Sequence, residues 1–406
     1  MTRYRLIVAG SVLVDMLGYG LIWPLLPFMV RTWSDEALVV GLFSSLYATM
    51  QLLVAPLMGG LSDRIGRRPV ILLCLFGSAV AYFGLALADS LWFLAVAIAI
   101  GGAAGSSMPV AQAYIADVTT PAERARGLGL LGAAFGLGLI GGSALGGVLS
   151  QYGLAMPPLL AAAIALLNAL YATIALPESL PPARRRLHPV QPPNLLAPAL
   201  NALQLPAVRP LLIAVVLLNI AFAGLQSNIA LFTLTQFGWG PQQNAALFVF
   251  VGVCAALTQG LLLGRIQPHL GEAGLASGGL GIMTIAFAAV KLAQLSDWML
   301  FPLAAMVATG MGLAVPAITS LVSLRAGDSR QGAVLGGMQA LVSFALVIGP
   351  LSFGLIFDTL GPDMPYLAGS ALLAGAWLLT TLAVARSSLS GAHRLFHPVE
   401  DSEAQL

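Results

Sequence analysis

Apolar residues in this chain come in long blocks, not in the alternating or one-faced patterns of a water-soluble fold. Twelve blocks reach the roughly 20 residues that a helix needs to cross a hydrocarbon layer. They lie at about 6–29, 39–60, 70–88, 91–114, 127–150, 154–176, 210–235, 242–264, 274–294, 298–323, 332–356 and 365–386. Helices that are apolar on every face cannot have water as their main solvent. The first block is longer than the apolar core of a cleaved signal, so it reads as a retained helix.

Composition agrees. The chain has 406 residues, 58% hydrophobic and only 8% charged, against about 25% charged in a soluble domain. Too few polar side chains exist to cover a surface, so the partner is a lipid bilayer. A net charge of +2, with arginines scattered over loops, gives no nucleic-acid footprint. Cys74 and Cys254 sit inside apolar blocks and read as small hydrophobes. The histidines form no metal set, no phosphate-binding Gly-x-x-x-x-Gly-Lys run occurs, and no nucleophile–base pair lies in the spans. An enzyme, an ATP-driven pump and a bound cofactor or metal are therefore not expected.

Arginine placement sets the topology. Of the 18 basic residues, 15 fall in the odd-numbered inter-span segments, counting the N-terminus first, Arg386 ends span 12 on that same side, and only Arg31 and Lys291 fall on the other. The other loops carry Asp35, Glu36, Asp89, Asp297, Asp358 and Asp363. The positive-inside rule then puts both termini in the cytoplasm of a plasma (inner) membrane protein. The polar, proline-rich stretch 177–208 splits the spans six and six. We therefore expect a first bundle at 1–176, a cytoplasmic linker at 177–208 with a short surface helix near Leu195–Leu203, a second bundle at 209–387 and a tail at 388–406.

The halves repeat. Gly59-x-Leu-x-x-x-Ile-Gly66 is echoed by Gly264-x-Ile-x-x-x-Leu-Gly271 at an offset of 205. Met108-Pro109 is echoed by Val315-Pro316, and Gly142-Ser-Ala-Leu-Gly-Gly147 by Gly349-Pro-Leu-Ser-Phe-Gly354, both at 207. Duplicated halves imply a carrier with its substrate site at their interface, worked by alternating access.

Four features carry the chemistry. The first is the loop Gly59-Gly-Leu-Ser-Asp-Arg-Ile-Gly-Arg-Arg68. Its glycines permit close approach and a tight turn, and Asp63 stands where a carboxylate can meet another helix's start. The loop resembles the signature of the major facilitator superfamily, Gly-x-Leu-x-Asp-Arg-x-Gly-Arg-Arg, at every fixed position. The resemblance implies the all-α major facilitator fold, twelve transmembrane helices in two pseudo-symmetric bundles. It also implies a conformational latch of Gly59, Asp63, Arg64, Gly66, Arg67, Arg68 and Asp117. In it Arg67 pairs with Asp63 and Asp117, and Asp63 faces the start of span 11 near Gln331–Ala333 to hold an outward-open state.

The second is the glycine frame of span 5, Gly129, Gly138, Gly142, Gly146 and Gly147, with its echo Gly349-Pro350. Small residues let membrane helices pack backbone to backbone. The frame resembles the antiporter signature of drug-efflux members, except that Ser143 replaces a proline. The third is Asp15, the one acid well inside a span. An ionised carboxylate there costs several kcal/mol unless it faces a cavity, finds donors or takes a proton. Its segment, Leu13 to Pro27, resembles span 1 of tetracycline and multidrug efflux carriers, which makes Asp15 a proton-coupling candidate. The fourth is an absence: Ile98 occupies the place where such antiporters carry an arginine in span 4.

Tyr19, Trp23, Tyr47, Phe222, Gln226, Asn228, Gln339 and Phe344 are the candidates for lining a mostly apolar substrate cavity. The expected function is proton-coupled efflux of a small amphipathic or drug-like compound by a monomer, with the proton gradient as energy source. Uptake or facilitated export of a metabolite without proton antiport is the alternative. A non-transporting membrane sensor is a second one, and the intact loop counts against it.

Overall fold

The computed structural model describes residues 2–185, 196–327 and 329–396. Arg186 of the linker's basic cluster and the end of the expected tail, 397–406, lie outside the described residues. Regular structure within them is helical throughout. The first crossings are α1 (Tyr4–Arg31), α2 (Ala37–Ile65), α3 (Arg67–Ala86), α4 (Leu91–Val118), α5 (Pro121–Leu149) and α6 (Met156–Ala175). A short connecting helix, Leu196–Leu203, follows. Then come α7 (Arg209–Phe237), α8 (241–270), α9 (272–288), α10 (Leu300–Ala326), α11 (Gln331–Leu360) and α12 (Met364–Phe396).

Helices α8 and α9 run on as one stretch of 55 residues, Pro241–Leu295, broken only at Gly271, with φ 60° and ψ 177°. The chain reverses there. Thr258 Oγ1 lies 3.4 Å from Thr309 Oγ1, and a methyl group at neighbouring Gly310 would lie 2.5 Å from Met283 Cγ. In a straight helix residues 258 and 283 would be about 37 Å apart. Gly66, at φ 112°, makes the equivalent reversal between α2 and α3. These two glycines end the repeated segments, so the repeat is a repeat of turns.

Most helices outrun their apolar blocks. The 29 residues of α2 span about 44 Å, against roughly 30 Å of hydrocarbon, so polar ends such as Asp63 and Arg64 project beyond it. Along the flanks large apolar side chains stay uncovered, including Trp92, Leu137 and Ile174 at 84%, 63% and 89% exposure. Lipid is the solvent that makes this tolerable. The protein is a multi-pass membrane protein.

The two six-helix bundles meet along a pseudo-symmetric seam, α2 on α11 and α5 on α8. Gly354 packs on Ala37 and Leu38. Shifted by 207 residues these become Gly147 and Ala245, which also pack together. Ser45 Oγ donates to Val347 O at 2.6 Å; the shifted pair, Gly252 and Ile140, is likewise in contact. One pair departs. Gly41 is pressed on the Pro350 carbonyl, whereas its shifted counterparts, Phe248 and Ser143, border an apolar cavity of about 220 Å³.

All these contacts lie toward the face away from the arginines. At the arginine-rich face the same four helices stand apart. A methyl group added at Gly59, Gly129, Gly132, Gly264, Gly332 or Gly336 would meet no atom within 4 Å. A cavity of about 670 Å³ opens there between α2, α4 and α11. Through Pro198 and Gly336 it adjoins a second of about 650 Å³ beside the connecting helix.

Candidate functional site

The arginine-rich loop is built around Arg67, the first residue of α3. Its guanidinium donates from Nη1 to Asp63 Oδ1 at 2.5 Å and to Ser62 Oγ at 2.7 Å, and from Nε to Asp117 Oδ2 at 3.1 Å. Only 9% of Arg67 is exposed, so these charge-assisted bonds are shielded from water and salt. Glu178, just after α6, accepts from the Arg67 and Arg68 amides at 2.9 and 3.3 Å. It supplies the cap that the N-cap residue of α3, Gly66, lacks. Arg68 donates to Thr173 O at 2.5 Å, and Arg64 is exposed. The network joins α2, α3, α4 and α6 within the first bundle, and it is formed while the seam at this face is parted. It is a rigid platform in this conformation. Gly59, expected in close contact with a neighbouring helix, faces open space instead, because its partner helix across the seam stands back here.

Asp15 is 4% exposed and lies inside the first bundle, not on the cavity between bundles. Ser107 Oγ donates to its Oδ2 at 3.0 Å, and Ser78 is a second hydroxyl partner. Among the described residues no cation pairs with it. Ser107 begins the second segment of α4, which is broken into Leu91–Ala104 and Ser107–Val118. The break has a local cause. Pro109 has no N–H to offer the carbonyl four residues back, that of Gly105, and Gln51 Nε2 of α2 takes it up at 3.1 Å. The helix start that results, buried at Ser106 and Ser107, lies beside the Asp15 carboxylate, where its dipole favours negative charge.

Ser143 has a parallel part. Pro24 in α1 frees the carbonyl of Gly20, and Ser143 Oγ donates to it at 3.4 Å. The residue standing in place of the expected proline thus serves a proline on α1, and α5 remains one continuous helix. The glycines beside it do what small residues do in membranes. Methyl groups at Gly138 and Gly146 would lie 2.5 and 2.6 Å from Leu13 O and Leu21 O, and one at Gly142 would overlap Leu17 O. Gly147 faces Ala245 of α8, Gly349 faces Ile220 of α7, and Gly129 faces open space. So α5 lies backbone to backbone on the very stretch of α1 that carries Asp15.

The expected cavity residues do not gather in one place. Tyr19, Trp23 and Tyr47 form an aromatic cluster with ring centres 5.0–5.8 Å apart, walled by Ile98 inside the first bundle. Phe222 and Gln226 line the apolar cavity at the α5–α8 seam, and Gln339 lines the central one. Asn228 is fully buried, its Nδ2 spent on Gly224 O and Ser227 Oγ, and Phe344 is half-buried on α11. Bundle and helix face separated them. Tyr19 and Gln226 are equivalent under the 207-residue shift, yet one lies within the first bundle and the other on the seam cavity. A block that is apolar on every side does not show which face turns inward. Sequence reasoning passed over Ser78, Ser107 and Glu178. Their partners lie far away in the chain. Gln51 is visible in the sequence only as an amide inside an apolar block.

Comparison with known proteins places this geometry. A family model described as Major Facilitator Superfamily matches residues 8–350. The class C tetracycline resistance protein of Escherichia coli is 33% identical over 85% of this chain and 87% of its own length. Multidrug resistance protein 2 of Bacillus subtilis is 29% identical over 92% and 93%. Among solved structures, the human organic anion transporter MFSD10 superposes with a TM-score of 0.71 at 27% identity, covering 93% of this chain and 99% of that one.

Proposed function

Since the chain belongs to the Major Facilitator Superfamily, we propose that it is a proton-coupled exporter of a small amphipathic or drug-like compound, acting as a monomer by alternating access. One observation carries the reading: Asp15 is buried with hydroxyl partners alone, at the break of α4, behind a seam shut on one face. A carboxylate held inside a membrane carrier marks a functional site, and two hydroxyls compensate its charge less fully than a cation would, which suits a group that takes up and releases a proton. The compound enters the central cavity from the arginine-rich face, which is cytoplasmic by the positive-inside rule, as are both termini. It leaves when the seam closes there and opens opposite. No cofactor takes part; the proton gradient across the inner membrane supplies the energy. The relatives that resist tetracycline and other drugs support the direction of transport.

A second reading, facilitated export without protons, draws on Ile98, which leaves span 4 with no cation to assist Asp15. Purified protein in vesicles with an imposed pH gradient separates the two. The screen covers tetracycline, lipophilic cations and an organic anion. We expect substrate-dependent proton flux that Asp15→Asn abolishes. Substrate flux that ignores the gradient would overturn the coupling.

A further inference from the structure

We propose that Asp358 is the outer gate lock, holding the seam shut on the face away from the arginines by capping α2 from across the bundle interface. Its Oδ1 accepts from the Ala37 amide at 2.9 Å and its Oδ2 from the Leu38 amide at 2.8 Å. These are the first two residues of α2, and the residue in the capping position of that helix, Glu36, makes no side-chain cap. The cap therefore comes from 320 residues away. Asp358 lies in the last turn of α11, where its own helix dipole disfavours a carboxylate, and the start of α2 offsets that cost. This arrangement exists only while the bundles touch on this face. Opening it strips two amides and a carboxylate of their partners at once.

The lock is one-sided. Shifted by 207 residues, Asp358 becomes Gln151, which is exposed. The helix that would need its cap, α8, begins with Pro241 and is capped internally, Gln243 Oε1 accepting from the Gly240 amide at 3.0 Å. The α5–α8 seam also holds the apolar cavity where the α2–α11 seam is filled. Charge and close packing are thus both concentrated on α2–α11, and Asp358 is a positioning residue for the transport cycle.

The inference rests on the alternating-access reading, but a measurement that needs no substrate tests it. Spin labels at Trp92→Cys and Leu295→Cys, both exposed on this face in opposite bundles, report its opening in a background with Cys74 and Cys254 replaced by alanine. Loss of a helix cap shifts a two-state balance by roughly 5- to 30-fold, so D358N is expected to raise the long-distance population about tenfold, and D358E to restore the short one. Ala37→Pro removes one donor at the first helical position, where proline is tolerated. Glu36, at φ −76° and ψ 129°, already has the backbone that precedes proline. It should shift distances in the same direction, and the double variant should add little to D358N because both act on one bond. Unchanged distances in D358N and Ala37→Pro, or effects that add in full, would overturn the lock. If D358N fails to fold, Ala37→Pro alone decides by the same criterion. Shifted distances in a protein that moves no substrate would leave the lock standing and sink the transport reading.

Discussion

Arg67 holds two carboxylates, Asp63 and Asp117, whose side chains are 27% and 25% exposed. Removing the cation leaves both partly desolvated charges uncompensated, which for buried pairs costs about 3 kcal/mol. Arg67→Ala is therefore expected to lower the unfolding temperature in detergent by several degrees and to cripple transport. Arg67→Lys, which keeps the charge but loses the fork that reaches Asp63, Ser62 and Asp117 together, should fall between. Equal melting curves for Arg67→Ala and the parent would refute the platform. Asp63→Asn keeps the residue's shape and should impair transport while leaving membrane insertion intact; unchanged flux would remove it from the cycle. The motif was plain in the sequence, as were its two acidic partners. Glu178 was not, since nothing in a proline-rich linker marks one glutamate as the cap of a helix 111 residues back.

Helices here are shaped by what their glycines and prolines do to neighbours. The contact of α1 with α5 is a stack of carbonyls on glycine Cα atoms at Gly138, Gly142 and Gly146. A side chain at Gly142 must push the backbone of α1 aside, an overpacking cost of 1–3 kcal/mol or more, to order of magnitude about 2 kcal/mol. Gly142→Leu should displace the segment carrying Asp15 and abolish coupled flux, whereas Gly129→Leu, with no atom within 4 Å, should leave stability unchanged. Comparable thermal stability of the two variants would contradict the packing. Prolines act in the opposite way, by releasing carbonyls that a partner helix must satisfy. Gln51 and Ser143 meet those released by Pro109 and Pro24. These bonds tie α2 to α4 and α5 to α1 inside the first bundle.

At the scale of the whole molecule the seam decides the state. Its four helices are glycine-bearing along their length; on the arginine-rich face Gly337 packs on Pro198 of the connecting helix and Gly127 on Ile115, whereas Gly59, Gly129, Gly132, Gly264, Gly332 and Gly336 are bare. The bare ones on the arginine-rich face are the surfaces available to close when the other face opens. A covalent clamp on the shut face should therefore freeze the cycle. An ideal Cβ at Gly252 lies 3.7 Å from Ile140 Cβ, inside the 3.5–4.5 Å range of a disulfide. Ile140→Cys with Gly252→Cys, in a background free of Cys74 and Cys254, should lose transport on oxidation and regain it on reduction. Transport that persists with the crosslink formed would mean that this seam does not part.

By itself the sequence determined that lipid is the solvent, where the twelve crossings run, which ends carry arginine, and that the chain is one six-helix unit written twice. These follow from composition and from period along the chain, and both are local. It also supplied the family, because the loop at Gly59–Arg68 keeps its chemistry within ten consecutive residues. The tertiary structure alone decided the rest. Asp15 finds Ser107, Asp358 finds the start of α2, and the expected cavity residues part into separate spaces. Such pairings depend on how far each helix slides and turns before its glycines and freed carbonyls are satisfied. In a bilayer, where apolar residues are at ease on every side, hydrophobicity gives no direction for that slide, so only close packing and polar bonds between distant residues can set it.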